Sequence, residues 1–192
     1  MKKVLLLGDS IRECYQEKVV EKIGEGYKIF YPNENCRFSA FTLNSLRYWF
    51  EYIPKDIDVI HWNNGLWDTA FINGEDTPFI SVDEYIGYMQ RILNVLRKEC
   101  PNAKIILATI TPTRKEKEYK KESRHFVGVI SRYNDKLLEA LRNQVDGIND
   151  LYNVVLPEVN EMICDDYIHL NEYGKEKCAA SVIQAIKRLK RS

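Results

Sequence analysis

The sequence predicts an α/β fold, a mostly parallel five-stranded sheet with helices on both sides, built as one domain over residues 1–192. Short apolar runs alternate with amphipathic helical stretches along the whole chain. The runs place apolar residues on both strand faces, as strands covered on both sides do. The 45% hydrophobic content is ordinary, and 192 residues are enough to bury one substantial core.

Val4–Leu7 reads as the first strand. Ile11, Tyr15, Val19 and Ile23 then recur at helical spacing. Tyr27–Tyr31 is the second strand, closed by Pro32. Leu43, Leu46, Phe50 and Ile53 stripe a helix that Pro54 ends, and Ile57–Trp62 is the third strand. Tyr15, Tyr48 and Trp49 are expected in the core. Ser81-Val82-Asp83-Glu84 forms a capping box, because Ser81 and Glu84 can satisfy each other's backbone donors. The helix it opens turns Val82, Ile86, Met89, Leu93 and Leu96 inward and stops at Cys100-Pro101-Asn102. Lys104–Ile110 is a further strand before Pro112. Phe126, Ile130, Tyr133, Leu137 and Leu141 stripe the next helix, and Gly147–Ile148 is a short strand. Val182, Ile186 and Leu189 mark the last helix, which Asn171 can cap. The mixed-sign run from Arg114 to Arg124 reads as a solvated loop or helix entry, with a flap over a site as the other reading.

Charge narrows the function. The 28 basic residues balance the 28 acidic ones, which argues against nucleic acid as a partner. No apolar run approaches the ~20 residues of a membrane helix. Val4–Leu7 also falls short of the ~7–15-residue apolar region of a signal peptide. A cytoplasmic protein is expected, unless an export signal has been removed. Five cysteines with no CxxC pair fit reduced thiols better than a disulfide framework or a zinc site.

In an open parallel sheet, ligands collect beyond the carboxyl ends of the strands. Gly8-Asp9-Ser10 stands there after the first strand, and a serine hydroxyl needs a base within hydrogen-bond reach to act as a nucleophile. His169 is the best base, because Asp166 three residues earlier can hold its imidazole in one tautomer. Asp165 is the alternative orienter. His61 reads as a core residue within a strand, and His125 as exposed after the charged run. Donors for a developing oxyanion are the Ser10 N–H at a helix start, the Asn64 side-chain amide and a backbone N–H of the Ser39-Ala40 loop.

Together these blocks resemble the SGNH hydrolases, also called the GDSL esterase/lipase family. Gly8-Asp9-Ser10 resembles the first block, and Asn35 through Thr42 the second, usually Asn-x-Gly-x-Ser-Gly-x-Thr. Arg37 and Ala40 stand at its two glycine positions. Asn63-Asn64-Gly65 resembles the third block, usually Gly-x-Asn-Asp, with Trp62 at the glycine and Asn64 at the functional asparagine. Asp166-Tyr167-Ile168-His169-Leu170 resembles the last, and Leu170 to Gly174 completes a typical Leu-Asn-x-x-Gly ending.

The resemblance implies a flavodoxin-like three-layer α/β/α sandwich with strand order 2-1-3-4-5. It implies acyl transfer to water through Ser10, His169 and Asp166, with no metal and no cofactor. Ser10, Ala40 and Asn64 would hold the oxyanion, with Asn63 competing for the role of Asn64. Asp9 would brace the turn, and Asp9, Arg37, Asn63 and Trp67 would be the candidate substrate contacts. Arg37 would bind a substrate carboxylate or pair with a neighbouring acid, and Trp67 would be core or pocket wall. The implied substrate is a small or carbohydrate-borne ester with a short acyl group such as acetyl. A non-catalytic small-molecule or carbohydrate-binding module of the same fold is the competing class. A phosphate or nucleotide binder is a third, and Ile11-Arg12-Glu13 lacks the glycine-rich loop it would need.

Overall fold

The computed structural model describes residues 1–114 and 123–189. Most of the charged run between Arg114 and Arg124 lies outside the described residues. The elements are β1 (Lys2–Gly8), α1 (Ser10–Lys22), β2 (Tyr27–Phe30), α2 (Ser39–Trp49), β3 (Val59–Asn63), β4 (Phe71–Ile72) and α3 (Val82–Glu99). They continue with β5 (Lys104–Ala108), β6 (Ser123–Arg124), α4 (Val127–Leu141), β7 (Gly147–Asn149), α5 (Leu151–Val155), α6 (Val159–Met162) and α7 (Glu172–Arg188).

The main sheet has the order β2-β1-β3-β5-β7, and every pairing in it is parallel. With the two-residue strands β4 and β6 set aside, its five strands stand in the expected order 2-1-3-4-5. β4 and β6 pair with each other as a small antiparallel ribbon that the sequence did not announce. Strands this short carry no readable period.

Adjacent residues of a strand point to opposite faces. Val4, Leu5, Leu6 and Leu7 are all buried, so β1 is covered on both sides. α1 packs on α7, while α2, α3 and α4 pack in series. Lys18 and Lys22 of α1 reach Glu176 of α7, adding exposed ion pairs to that contact. The predicted capping box of α3 is present, and Asn171 caps α7 by accepting from the Gly174 N–H.

Three expectations shift. β3 begins at Val59, although Ile57 before it is buried, and β5 stops at Ala108. Tyr15 and Trp49 are core, but Tyr48 is 50% exposed, with the Arg47 guanidinium over its ring. Arg12, read only as part of a non-glycine loop, is fully buried. Its guanidinium donates to the carbonyls of Gly8, Pro32 and Glu34, which fastens the β1–α1 turn to the loop after β2. A charge taken out of water needs such partners.

Candidate active site

β1 ends at Gly8, where neighbouring β3 leaves no room for a side chain. A Cβ on Gly8 would stand 2.5 Å from Asn63 Oδ1 and 2.6 Å from the Asn63 carbonyl of neighbouring β3. Asp9 caps α1, its Oδ1 accepting from the Ile11 N–H at 3.0 Å. Ser10 is then the first residue of α1, so its own N–H is one of the helix donors without an intrahelical acceptor.

Ser10 Oγ lies 3.0 Å from His169 Nε2, and His169 Nδ1 lies 2.7 Å from Asp166 Oδ2. The Asp166 turn is tied further, its Oδ1 accepting from the backbone N–H groups of Ile168 and His169, both at 2.9 Å. Partial burial pushes the Asp166 carboxyl up, but those donors and the His169 ring hold it below the usual carboxylate range. It is therefore ionised at neutral pH and accepts a hydrogen bond from Nδ1–H, which leaves Nε2 with the lone pair that faces Ser10. Asp165 points away; its side chain is fully exposed and pairs with Arg114.

The loop carrying His169 is anchored on both sides. Ile163 and Leu170 form an antiparallel bridge, the Cys164 N–H donates to the His169 carbonyl, and the Asn171 N–H donates to the Met162 carbonyl. Gly174 of the Leu-Asn-x-x-Gly segment sits so close to Met162 that a Cβ would run into its carbonyl.

Ala40 is the second residue of α2, not part of a loop. Its N–H is a first-turn donor, and the N-cap residue Phe38 makes no side-chain cap bond. Asp68 accepts from the Ser39 N–H and hydroxyl and so fixes the start of this helix.

Asn64 is buried with its amide already engaged. Nδ2 donates to Thr42 Oγ1 at 2.9 Å and to the Arg37 carbonyl at 3.1 Å, while Oδ1 accepts from the Trp62 indole N–H at 2.8 Å. Asn63 is turned into the interior, its Oδ1 accepting from the Tyr15 hydroxyl at 2.6 Å and its Nδ2 donating to Asp9. It is not among the residues that line the cavity beside Ser10.

Arg37 has φ 50°, in the left-handed region that favours glycine. Carrying a Cβ there costs about 1 kcal/mol. Asn35 Oδ1 offsets this by accepting from the Arg37 N–H at 2.7 Å. The guanidinium lies over the Phe41 ring, 4.6 Å from its centre, rather than against a carboxylate of the described residues.

An apolar cavity of about 450 Å³ opens beside Ser10 and His169, walled chiefly by Phe38, Leu66, Trp67 and Phe79. Trp67 is thus pocket wall, 42% exposed. His125 lines the same cavity instead of standing free in solvent, because the segment before it pairs with β4. Burial pushes its imidazole down to about 4. His61 is core as read, held between Tyr15 and Asn149, and burial pushes it down to about 3. A second, charged groove also touches Ser10 and His169, between Glu13, Glu17 and Lys18 of α1 and Glu172 and Lys175 of α7. Among the described residues no group of three or more His, Cys, Asp or Glu is placed to hold a metal ion. No helix among them is long and apolar enough to cross a membrane.

The sheet order and helix layers are those of solved esterases and GDSL-like lipases, a likeness of fold that runs over nearly all of the chain. No family model matches the sequence, and no curated protein does. Solved structures do match. The chain is similar to an acetyl xylan esterase, with a TM-score of 0.75 and 18% identity over 96% of this chain and 99% of that one. A carbohydrate esterase family 3 protein from Talaromyces cellulolyticus gives a TM-score of 0.74 and 21% identity, over 98% of both chains. A GDSL-like lipase from Bacteroides thetaiotaomicron gives 0.72 and 18%, over 98% of this chain and 89% of that one.

Proposed function

We propose that this protein is a serine ester hydrolase that works through an acyl-enzyme and removes a short acyl group, such as acetyl, from a small or carbohydrate substrate. The observation that carries the reading is the continuous relay from Ser10 Oγ through His169 to Asp166, at 3.0 and 2.7 Å, on the wall of a cavity. The acetyl preference leans on two of the structural neighbours, an acetyl xylan esterase and a carbohydrate esterase.

In this mechanism His169 Nε2 takes the Ser10 proton as Oγ attacks the ester carbonyl. Asp166 stabilises the imidazolium that forms. The Ser10 and Ala40 N–H groups hold the oxyanion at two helix starts, where the backbone dipoles favour negative charge. Asn64 joins them by giving up its longer bond to the Arg37 carbonyl as charge develops, since a charged acceptor is the stronger one. His169 then returns the proton to the leaving alcohol, and water releases the acid by the same steps reversed.

A fluorophosphonate probe on the intact protein, read by mass spectrometry, tests this directly. Labelling of Ser10 in wild type and its loss in His169→Ala is the expected result. An unlabelled Ser10, with no ester turned over, would favour the non-catalytic binding module, for which the committed amide of Asn64 is the supporting observation.

A further inference from the structure

The cavity beside Ser10 is far larger than an acetyl group. Three heavy atoms occupy roughly 90 Å³ at the volume water takes in the liquid. A cavity of about 450 Å³ therefore leaves room for roughly a dozen more heavy atoms at that packing. Its lining is nearly all apolar, and Trp67 and Phe79 present exposed aromatic surface. A sugar ring would leave most of its hydroxyls unpaired there, which is costly. The charged groove that also touches Ser10 and His169 offers such hydroxyls far better company.

Outside the Ser10–His169 pair and the Trp67 indole N–H, which can only donate, the polar side chains that line the cavity among the described residues are Asn35 and His125. Asn35 is spent internally, its Nδ2 on Glu13 and its Oδ1 on the Arg37 N–H. His125 is not. Its Nδ1 lies 3.5 Å from Thr69 Oγ1, whose single hydrogen goes to the Leu66 carbonyl at 2.8 Å. Thr69 can therefore only accept from the ring, which puts the ring proton on Nδ1 and leaves the Nε2 lone pair as an acceptor. Burial keeps this ring neutral at ordinary pH.

From this we infer that the substrate places in this cavity an apolar group of aromatic-ring or medium-chain size, carrying one hydrogen-bond donor that His125 Nε2 receives. The inference rests on the ester-hydrolase reading above but not on its preference for a short acyl group, which the first ester series below would replace if the acyl half fills the cavity. The group can belong to the acyl half or to the alcohol half of the ester, and the two are separable.

The experiment measures kcat/KM, corrected for hydroxide-catalysed reactivity, for two matched ester series on the purified protein. In the first the alcohol is fixed as p-nitrophenol and the acyl group runs acetyl, octanoyl, 3-phenylpropanoyl and 3-(4-hydroxyphenyl)propanoyl. In the second the acyl group is fixed as acetyl and the alcohol runs methyl, phenyl and 4-hydroxyphenyl. In one series the apolar group raises kcat/KM at least tenfold, and the hydroxyl adds about tenfold more. The series that responds identifies the half of the ester that enters the cavity. Trp67→Ala removes most of the apolar gain. His125→Phe removes the hydroxyl gain, and His125→Gln, which keeps an acceptor, restores part of it. A flat response in both series, or a hydroxyl gain unchanged in His125→Phe, overturns the inference while fluorophosphonate labelling of Ser10 leaves the hydrolase reading standing. An unlabelled Ser10 removes both.

Discussion

The two ends of the sheet treat the same side chain in opposite ways. At the amino end Asp146, just before β7, accepts from the Ile105 N–H, Lys104 and Arg97. Partial burial pushes its carboxyl up, but those donors outweigh it and hold it below the usual range. At the carboxyl end Asp68 and Asp9 are more deeply buried, and their hydrogen-bond donors carry no charge. Burial pushes Asp68 up to about 7 and Asp9 up to about 6, against the pull of Ser39 and Ile11. The amino end uses charge to hold strands together. The carboxyl end spends stability to fix two helix starts beside Ser10, the kind of local conflict expected where a fold carries a site.

The comparison can be broken at several points. The largest effect belongs to the carboxyl end: Ser10→Ala and His169→Ala should each lower kcat on an aryl ester roughly ten-thousand-fold, with melting temperatures close to wild type. Asp166→Asn should cost roughly a hundred- to ten-thousand-fold in kcat, by upsetting the tautomer of His169. Its neighbour Asp165→Asn should leave kcat unchanged. Equal losses in the two would remove Asp166 from its role.

At the amino end, Asp146→Asn should lower unfolding free energy by about 1–3 kcal/mol at pH 7, read by urea melts, and leave kcat/KM alone. Because the folded pKa of Asp146 is depressed, its stabilisation is present above the ordinary carboxylate range and is lost as pH falls through the folded value. The variant should therefore show a shallower acid limb. Asp68 has the opposite sign. With its folded pKa raised, its favourable contribution is present below pH ~4 and lost as pH rises toward about 7. Asp68→Asn should flatten the fall of melting temperature between pH 5 and 8, the smallest effect of the set. A steeper fall in this variant would contradict the assigned direction.

How much of this was legible in the sequence depends on how local the cause is. Asp166 and His169 lie three residues apart, so their pairing follows from spacing alone. The Gly8-Asp9-Ser10 turn is equally local, with a close approach at Gly8 and a cap at Asp9. The commitment of Asn64 was within reach: Trp62 stands two residues earlier in an extended strand, on the same face, and its indole needs an acceptor when buried. His125 was not. Its place is set by where a distant segment returns, which no periodicity records. Buried Arg12 was equally silent, since its partners come from the carbonyls of Pro32 and Glu34 in another loop. Tyr48 was misread because its neighbour Trp49, one residue on, took the core position that the helical stripe offered.

Ser10 and His169 meet across 159 residues of chain. At roughly 5–20 residues per second of synthesis, about 8–30 s separate their exits from the ribosome. During that time the nascent chain carries a bare serine with no base to activate it. β1 waits for β3, and α1 waits for α7 to cover it. On the proposed reading, fragments that end before His169 carry Ser10 without its base and are inert as hydrolases. The cost falls on folding instead: the face of α1 that α7 covers stays open until the last of these elements has emerged.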